Sequence, residues 1–222
     1  MQLLREKFRA SPVFVRAVPF LIFLGLTFCQ GWFGESGKYW FYVIKTAVGA
    51  WLIWEMRPFV AEMKWALSWE AVAAGVAVCA MWIGIDNLYP KFSKPGDPWN
   101  PHNLFGQNSA IAWLFVLVRL LGSTFVVPPL EEVFYRSFLY RYLVKTDFLA
   151  FPLSRFHGLS FVVTSIIFGF EHYQWLSGIL CGLAYQWLVL RKNRLGDAIT
   201  AHAITNFLLG LWVIGTDDWR FW

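Results

Sequence analysis

The sequence is poor in charge: Asp, Glu, Lys and Arg make up only 15% of its 222 residues, whereas soluble domains carry about 25%. Because 58% of the residues are hydrophobic, the chain has too little polar surface to cover a globule in water. This balance excludes an ordinary cytosolic enzyme and an intrinsically disordered chain. The net charge of +5 is small and spread over short loops, so we expect no nucleic-acid partner.

Cysteine is scarce as well, and two motifs of membrane proteases are missing. Cys29, Cys79 and Cys181 each lie in an apolar run and form no disulfide framework. No His-Glu-x-x-His occurs, which argues against a site-2-type zinc protease. The dipeptide Ser177-Gly178 lacks the glycine that a rhomboid-type serine motif requires two residues before the serine, so a serine mechanism has no support.

Apolar runs and aromatic residues dominate what is present. The chain has 22 Phe, 14 Trp and 8 Tyr, and Trp and Tyr rings anchor membrane proteins at bilayer interfaces. Most of the runs approach the roughly 20 residues that a membrane helix needs. They lie at residues 12–33, 39–56, 69–88, 109–127, 158–170, 175–190 and 196–215. The sequence therefore predicts an all-α, polytopic membrane helical bundle of about seven or eight transmembrane helices.

The N-terminal residues indicate orientation. Arg5, Lys7, Arg9 and Arg16 surround the start of the first run and predict a cytoplasmic N-terminus. That run exceeds a signal-peptide core and lacks a cleavage pattern, so we interpret it as a transmembrane helix. The polar loop at 89–101 is then expected outside.

We expect one membrane domain, in which residues 1–108 carry no assignable motif and the chemistry lies in residues 109–222. Pro128-Pro129 predicts a break after the fourth run, followed by a separate helix over 130–146. The basic turn 191–194 should be cytoplasmic. If the helix over 130–146 crossed fully, that turn would lie outside, so either this helix or another short run does not cross.

Ionisable groups inside apolar segments are candidates for function. Glu132 and Arg136 are four residues apart and share a helix face, whereas Glu131 points about 100° away. The arginine can thus hold one carboxylate while the other faces a cavity. Considered alone, such a pattern is commonly a helix ion pair.

Two further patterns follow in the C-terminal half. His172 ends an apolar run one turn after Phe168, and His202 shares a face with Asn206. Each alone could be a polar contact between helices. Together with the glutamates they supply a carboxylate base, two imidazoles and an amide donor, which can activate a water and stabilise an oxyanion.

The ordered triple Glu131-Glu132-x-x-x-Arg136, Phe168-x-x-x-His172 and His202-x-x-x-Asn206 resembles the CAAX-protease and bacteriocin-processing family. These membrane glutamic proteases include the Ras-converting enzyme. The resemblance covers roughly residues 109–215 and includes the Pro-Pro pair before the first motif. The compact length and short loops are similar to the bacterial branch, which implies the inner membrane of a bacterial cell.

The resemblance implies an intramembrane endopeptidase that acts without a cofactor on a membrane-anchored or lipidated protein or peptide. By this likeness Glu131 is the general base, which activates water together with His172. Glu132 and Arg136 support it, and Phe168 positions His172. The oxyanion pair is implied to be His202 and Asn206.

Other interpretations remain open. Zinc could be held by one of the two glutamates with both histidines, since these are competent ligands. The polar cluster could instead be structural, in a non-catalytic membrane binding or bacteriocin-immunity protein. A transporter should show broken helices in two related halves, and only one half here is polar.

Two further cations lie inside apolar runs, Arg119 and Lys45. Arg119 could face the site and bind a substrate carboxylate or a lipid headgroup. It could instead snorkel to the interface or pair with an acid inside the bundle.

Overall fold

The computed structural model describes residues 2–92 and 98–222, and all regular secondary structure in this part of the chain is helical. The expected outer loop at 89–101 therefore falls partly outside the described residues, at 93–97. The α-helices are α1 (Gln2–Ala10), α2 (Pro12–Cys29), α3 (Gly34–Met56), α4 (Trp69–Gly84), α5 (His102–Phe105), α6 (Ala110–Phe125), α7 (Val127–Glu132), α8 (Tyr140–Tyr142), α9 (Gly158–Phe170), α10 (Trp175–Lys192) and α11 (Gly196–Thr216). A π-helical turn, Val133–Leu139, joins α7 to α8.

Within the described residues, seven helical rods run alternately between two ends of the bundle: α2, α3, α4, α6 to α8, α9, α10 and α11. Arg16 near the start of α2, Glu62 after α3 and Arg141 in α8 meet in one ion-pair cluster, and we call this the basic end. The opposite end is marked by the hydrogen bond from the Tyr39 hydroxyl to the carbonyl of Asn100, 2.7 Å long.

Helix boundaries follow from local chemistry. The hydroxyls of Ser11 and Ser68 accept the Phe14 and Ala71 backbone N–H groups and cap the starts of α2 and α4. α10 ends at Asn193, which adopts the left-handed conformation (φ 51°) that asparagine tolerates better than most residues. The short turn that follows leads directly into α11.

The helix boundary predicted at Pro128-Pro129 is present, since α6 ends at Phe125 and α7 begins at Val127, but the rod from Ala110 to Tyr142 continues across it. Val126 keeps right-handed helical angles and donates its N–H to the carbonyl of Gly122, so the chain continues in the same direction. A proline in the first turn of α7 lacks an N–H that would have had no helical partner there, so the helix tolerates it. Because 110–142 forms one rod, the basic turn at 191–194 lies at the basic end, where Lys192 pairs with Glu70 at the start of α4.

Three helical stretches of the described residues are long and apolar enough to cross a membrane: Pro12–Met56, Ala110–Tyr142 and Gly196–Thr216. The first of these contains the helical pair α2 and α3. Two shorter helices, α4 and α9, are also apolar. Many large apolar side chains face outward, for example Trp54 and Leu159, as expected for a surface covered by lipid. The protein is an all-helical membrane protein.

At the basic end, Glu62 Oε1 accepts hydrogen bonds from both neighbouring arginines, with nitrogen–oxygen distances of 2.8 Å to Arg16 Nη2 and 3.0 Å to Arg141 Nη2. The Ser137 hydroxyl donates to the same oxygen at 2.6 Å. Burial alone would raise the pKa of Glu62, but the Arg16 charge and the Ser137 hydrogen bond outweigh it and lower that pKa below its usual value. The cluster joins α2 to the rod that carries Glu131 and Glu132.

Candidate active site

The two adjacent glutamates lie at the end of α7, inside the bundle. Glu132 is fully buried and Glu131 is 7% exposed. They occupy successive positions of one helical turn, so their carboxylates point to different neighbours. The carboxylates of Glu131 and Glu132 therefore have different surroundings.

Glu132 links two motifs. Its Oε1 accepts a hydrogen bond from His202 Nδ1 at 2.9 Å, and its Oε2 lies 3.3 Å from Arg136 Nε. The contact between Glu132 Oε2 and Arg136 Nε is an ion pair and not a hydrogen bond, because neither of these two atoms has a hydrogen-bond partner. The Arg136 guanidinium also lies over the Phe168 ring, 4.3 Å from its centroid. The second glutamate therefore orients the imidazole and balances the arginine.

Glu131 is placed differently. Its Oε2 lies 3.9 Å from His202 Nε2 and has no hydrogen-bond partner among the described protein atoms. A buried carboxylate oxygen without a donor is unusual, because most buried polar atoms are satisfied. Glu131 thus carries an acceptor that a water molecule could use.

His172 follows α9, in the turn that leads to α10. Its Nδ1–H donates to the Phe168 carbonyl at 2.9 Å, which leaves Nε2 with a free lone pair in the neutral ring. The Trp82 ring packs against the imidazole at an interplanar angle of 74°, with centroids 5.4 Å apart. The backbone of α9 thereby fixes both the tautomer and the direction of the ring.

Two glycines let α9 and α10 approach closely beside His172. A Cβ on Gly178 would lie 2.8 Å from the Gly169 Cα and 3.3 Å from His172 Nδ1. A Cβ on Gly169 would lie 2.3 Å from a side-chain carbon of Ile179. Only glycine fits at these two positions without a shift of the neighbouring backbone, which lies beside the histidine.

His202 lies on α11, between α4 and α10. The Tyr185 ring stacks on its imidazole at a centroid distance of 5.2 Å. The Tyr185 hydroxyl donates to Thr205, which in turn donates to the carbonyl of Gly75. The Tyr185 ring therefore holds the His202 imidazole by stacking, and the hydrogen bonds through Thr205 fix Tyr185 in place.

Asn206, one turn after His202, donates one Nδ2 hydrogen to the carbonyl of Ser123 at 2.8 Å. The amide has a second N–H, which this bond does not use. The Phe168 ring lies between the two imidazoles, with centroids 5.0 Å from His172 and 6.0 Å from His202. The three motifs therefore meet around the Phe168 ring in the bundle interior.

Sequence reasoning missed several residues of this neighbourhood, including Tyr135, Glu171 and Tyr185. Tyr135 donates its hydroxyl to Glu171 at 2.7 Å, and both residues adjoin a predicted site residue in the sequence. That adjacency was the one available signal. Their partners come from other elements, so spacing along the chain could not have identified the contacts.

The two remaining intramembrane cations have mainly aromatic neighbours. The Arg119 guanidinium lies over the rings of Trp99 and Tyr42, at 4.5 and 5.1 Å. Lys45 Nζ donates to the Thr27 hydroxyl at 3.0 Å and lies 4.7 Å from the Tyr42 ring centroid. The aromatic rings that contact Arg119 differ from the rings that contact His172 and His202. A role of Arg119 in binding substrate at the site therefore stays a hypothesis.

The possible zinc ligands can be compared with the geometry. In residues 2–92 and 98–222, no group of three or more His, Cys, Asp or Glu side chains is arranged to hold a metal ion. The polar groups can instead accept a proton, through Glu131 and His172, and donate hydrogen bonds, through His202 and Asn206. These are the capacities that hydrolysis of an acyl bond requires.

Fold and site together define an all-helical membrane protein with a buried carboxylate and histidine cluster. Residues 112–208 match the family model described as Rce1-like, type II CAAX prenyl endopeptidase Rce1-like. This match covers just under half of the chain, contains all seven predicted site residues, and confirms the resemblance to the CAAX-protease family. It supports membrane protease activity in general. Comparisons with curated proteins and with solved structures gave no match.

Proposed function

We propose that the protein is an intramembrane endopeptidase in which Glu131 and His172 activate a water molecule without a metal ion. The observation that carries the proposal is the contrast between the two glutamates. Glu132 is engaged by His202 and Arg136, whereas Glu131 Oε2 lies buried with no donor. A general base needs such a free acceptor within reach of water.

The reaction follows from these groups. Water donates hydrogen bonds to Glu131 and to His172 Nε2 and attacks the scissile carbonyl carbon, while its proton passes to Glu131. The proton then moves to the amine nitrogen as the carbon–nitrogen bond breaks, which releases a carboxylic acid and an amine. Atoms and charge balance without a co-reactant.

The oxyanion is stabilised by donors that are already oriented. Asn206 offers its second N–H, because the first is fixed by Ser123. When both ring nitrogens of His202 are protonated, Nδ1–H donates to Glu132 and Nε2–H can donate to the oxyanion. Preorganised donors of this kind contribute about 10²–10³ in rate.

The substrate class proposed is a membrane-anchored or lipidated protein or peptide, cleaved near the bilayer surface. The support is the burial of the site among apolar helices, together with the Rce1-like family match. Basic side chains concentrate at the end that holds Arg16 and Arg141, which supports a cytoplasmic N-terminus.

The test compares newly formed peptide termini in membranes of the native host that express wild type, Glu131→Gln or His172→Ala at matched levels. Glu35→Gln is the matched control, because that carboxylate is 77% exposed and far from the three motifs in sequence. We expect a set of peptide termini that form with wild type and with Glu35→Gln but not with either of the two site variants. Their persistence in a chelator would support the metal-free mechanism. Identical termini in all samples would overturn the proposal and favour a binding or immunity protein.

A further inference from the structure

Two residues outside the three motifs, Tyr135 and Glu171, join the helix that carries the glutamates to the turn that carries His172. The Tyr135 hydroxyl donates to Glu171 Oε2 at 2.7 Å. Tyr135 is 3% exposed and Glu171 is partly buried. A hydrogen bond to a carboxylate in such a place is strong and directional. Because Glu171 immediately precedes His172, the bond is made next to the imidazole.

Tyr135 lies within the π-helical turn Val133–Leu139. The Tyr140 N–H donates to the Tyr135 carbonyl five residues earlier, the spacing of a π-helix. Relative to a regular α-helix, the extra residue in the turn rotates the following side chains around the axis. π-Helical turns occur frequently at functional sites. Here the turn directly follows Glu132.

Tyr135 contacts two residues that precede His172 in the chain, Phe168 and Glu171. The Tyr135 ring meets the Phe168 ring edge-on, with centroids 5.1 Å apart and an interplanar angle of 88°. Phe168 is the residue whose carbonyl accepts the Nδ1–H of His172. The ring of Tyr135 therefore supports the start of the Phe168–His172 turn, and its hydroxyl fixes the end.

We infer that Tyr135 and Glu171 are a pair of positioning residues that hold His172 at its working distance from Glu131. This inference rests on the proposed function. The tyrosine is anchored on the same helical rod as Glu131, so the hydrogen bond transmits the position of that rod to the histidine. Loss of the hydroxyl leaves Glu171 Oε2 without this donor and frees the turn to move.

The first arm of the test measures the rate at which the wild-type-specific termini form in Tyr135→Phe, Glu171→Ala, Glu171→Gln and the double variant Tyr135→Phe/Glu171→Ala. We expect each of the first two to slow cleavage about 10–100-fold, as for other residues that orient a reacting group. The double variant should be no slower than the single ones, because the two residues act through one bond. Glu171→Gln keeps an oxygen acceptor and should restore most of the rate. Tyr142→Phe, at a tyrosine that is 40% exposed, is the matched control.

The second arm does not depend on cleavage. Diethyl pyrocarbonate modifies histidines, and peptide masses report its rate at each one in the full-length protein in detergent. We expect that rate at His172 to change at least about threefold in Tyr135→Phe, while the rate at His157 stays constant. A threefold change is smaller than the 10–100-fold losses of activity found when hydrogen-bond partners that orient a histidine are removed.

The outcomes separate the two proposals. Full cleavage by Tyr135→Phe, or additive losses in the double variant, would overturn the positioning pair while the protease assignment stands. Failure of wild type to differ from Glu131→Gln would overturn the protease assignment and, with it, the positioning role. An unchanged modification rate at His172 would also contradict the pair.

Discussion

His202 Nδ1 lies 2.9 Å from Oε1 of Glu132, so the second glutamate of the pair, and not the first, holds the imidazole of the third motif. The same carboxylate faces Arg136 with its other oxygen. Glu132 therefore has a bridging position between two basic groups. Glu131 contributes a free acceptor to the same neighbourhood, and the two glutamates should respond differently to the same substitution.

Glu132→Gln is expected to destabilise the fold, since it leaves the buried Arg136 charge without its carboxylate. Removal of one partner of a buried ion pair costs about 3–5 kcal/mol. Glu131→Gln should abolish cleavage. It should change the free energy of unfolding by less than about 1 kcal/mol, because Glu131 forms no close ion pair. Thermal unfolding in detergent and formation of termini measure both effects. Equal melting losses with retained activity in the two variants would contradict the assigned roles.

Asn206→Ala should lower the rate constant of cleavage about 10²–10³-fold and leave substrate binding nearly unchanged, because an oxyanion donor acts in the transition state. The measurement is the rate of terminus formation at saturating and at limiting substrate. Asn108→Ala, in an exposed turn, is the control for the substitution itself. A loss confined to substrate binding would assign Asn206 to recognition instead.

Gly178→Ala is expected to destabilise the protein by about 1–3 kcal/mol, as overpacking does, and to displace His172. The added methyl would lie 2.8 Å from Gly169 Cα and 3.3 Å from His172 Nδ1. Gly25→Ala is the matched change, since a Cβ there meets no atom within 4 Å. Activity and melting temperature are compared for the two variants. A fully active Gly178→Ala protein would show that the close crossing does not position the histidine.

The sequence predicted the helices well, because long apolar runs identify membrane helices regardless of tertiary contacts. The run predicted at 158–170 is α9 itself, and the run predicted at 196–215 ends within one residue of α11. The helix boundary at Pro128-Pro129 was predicted correctly, because proline lacks the N–H and its ring clashes inside a helix, but the sequence could not show that α7 continues in the direction of α6. The conflict over the side on which residues 191–194 lie arises only if the helix after the prolines is counted as a separate crossing, and the single stretch Ala110–Tyr142 favours the alternative in which it is not.

For the candidate site, the three motifs identified residues that do meet in space, but not how they pair. Helical spacing predicted that Glu132 faces Arg136, a contact within one helix. The contact of Glu132 with His202 joins residues that are 70 positions apart, and no local pattern determines it. The π-helical turn at Val133–Leu139 also escaped prediction, because the 3.6-residue period assumes regular helix.

The single rod from Ala110 to Tyr142 predicts on which sides of the membrane its flanking loops lie. Gln107→Cys should react with a membrane-impermeant thiol reagent added to intact cells, whereas Thr146→Cys should react only after the cells are opened. Both positions are exposed and lie in the loops at opposite ends of the rod. If the fourth run and the following helix were two crossings, both cysteines would react from outside. Protein with only the three native cysteines gives the background.

Glu62 predicts a dependence of stability on pH at the basic end. Its pKa is lower in the folded protein than in the unfolded chain, so it contributes stability above the ordinary glutamate pKa of about 4.3, and this contribution is lost as the pH falls through the lowered value. Glu62→Gln removes the charge at every pH. It should be less stable than wild type at neutral pH by about 1.5–3 kcal/mol, the range for hydrogen bonds to charged groups.

The difference between the two proteins is the quantity to measure, because other carboxylates titrate equally in both. Melting temperatures of wild type and Glu62→Gln should converge as the pH is lowered from neutral to below the ordinary glutamate range. Glu35→Gln should follow wild type throughout, since its carboxylate is mostly exposed and exposed ion pairs contribute little. A difference that stays constant across this range would mean that Glu62 stabilises the basic end through shape and neutral hydrogen bonds, and not through its charge beside Arg16 and Arg141.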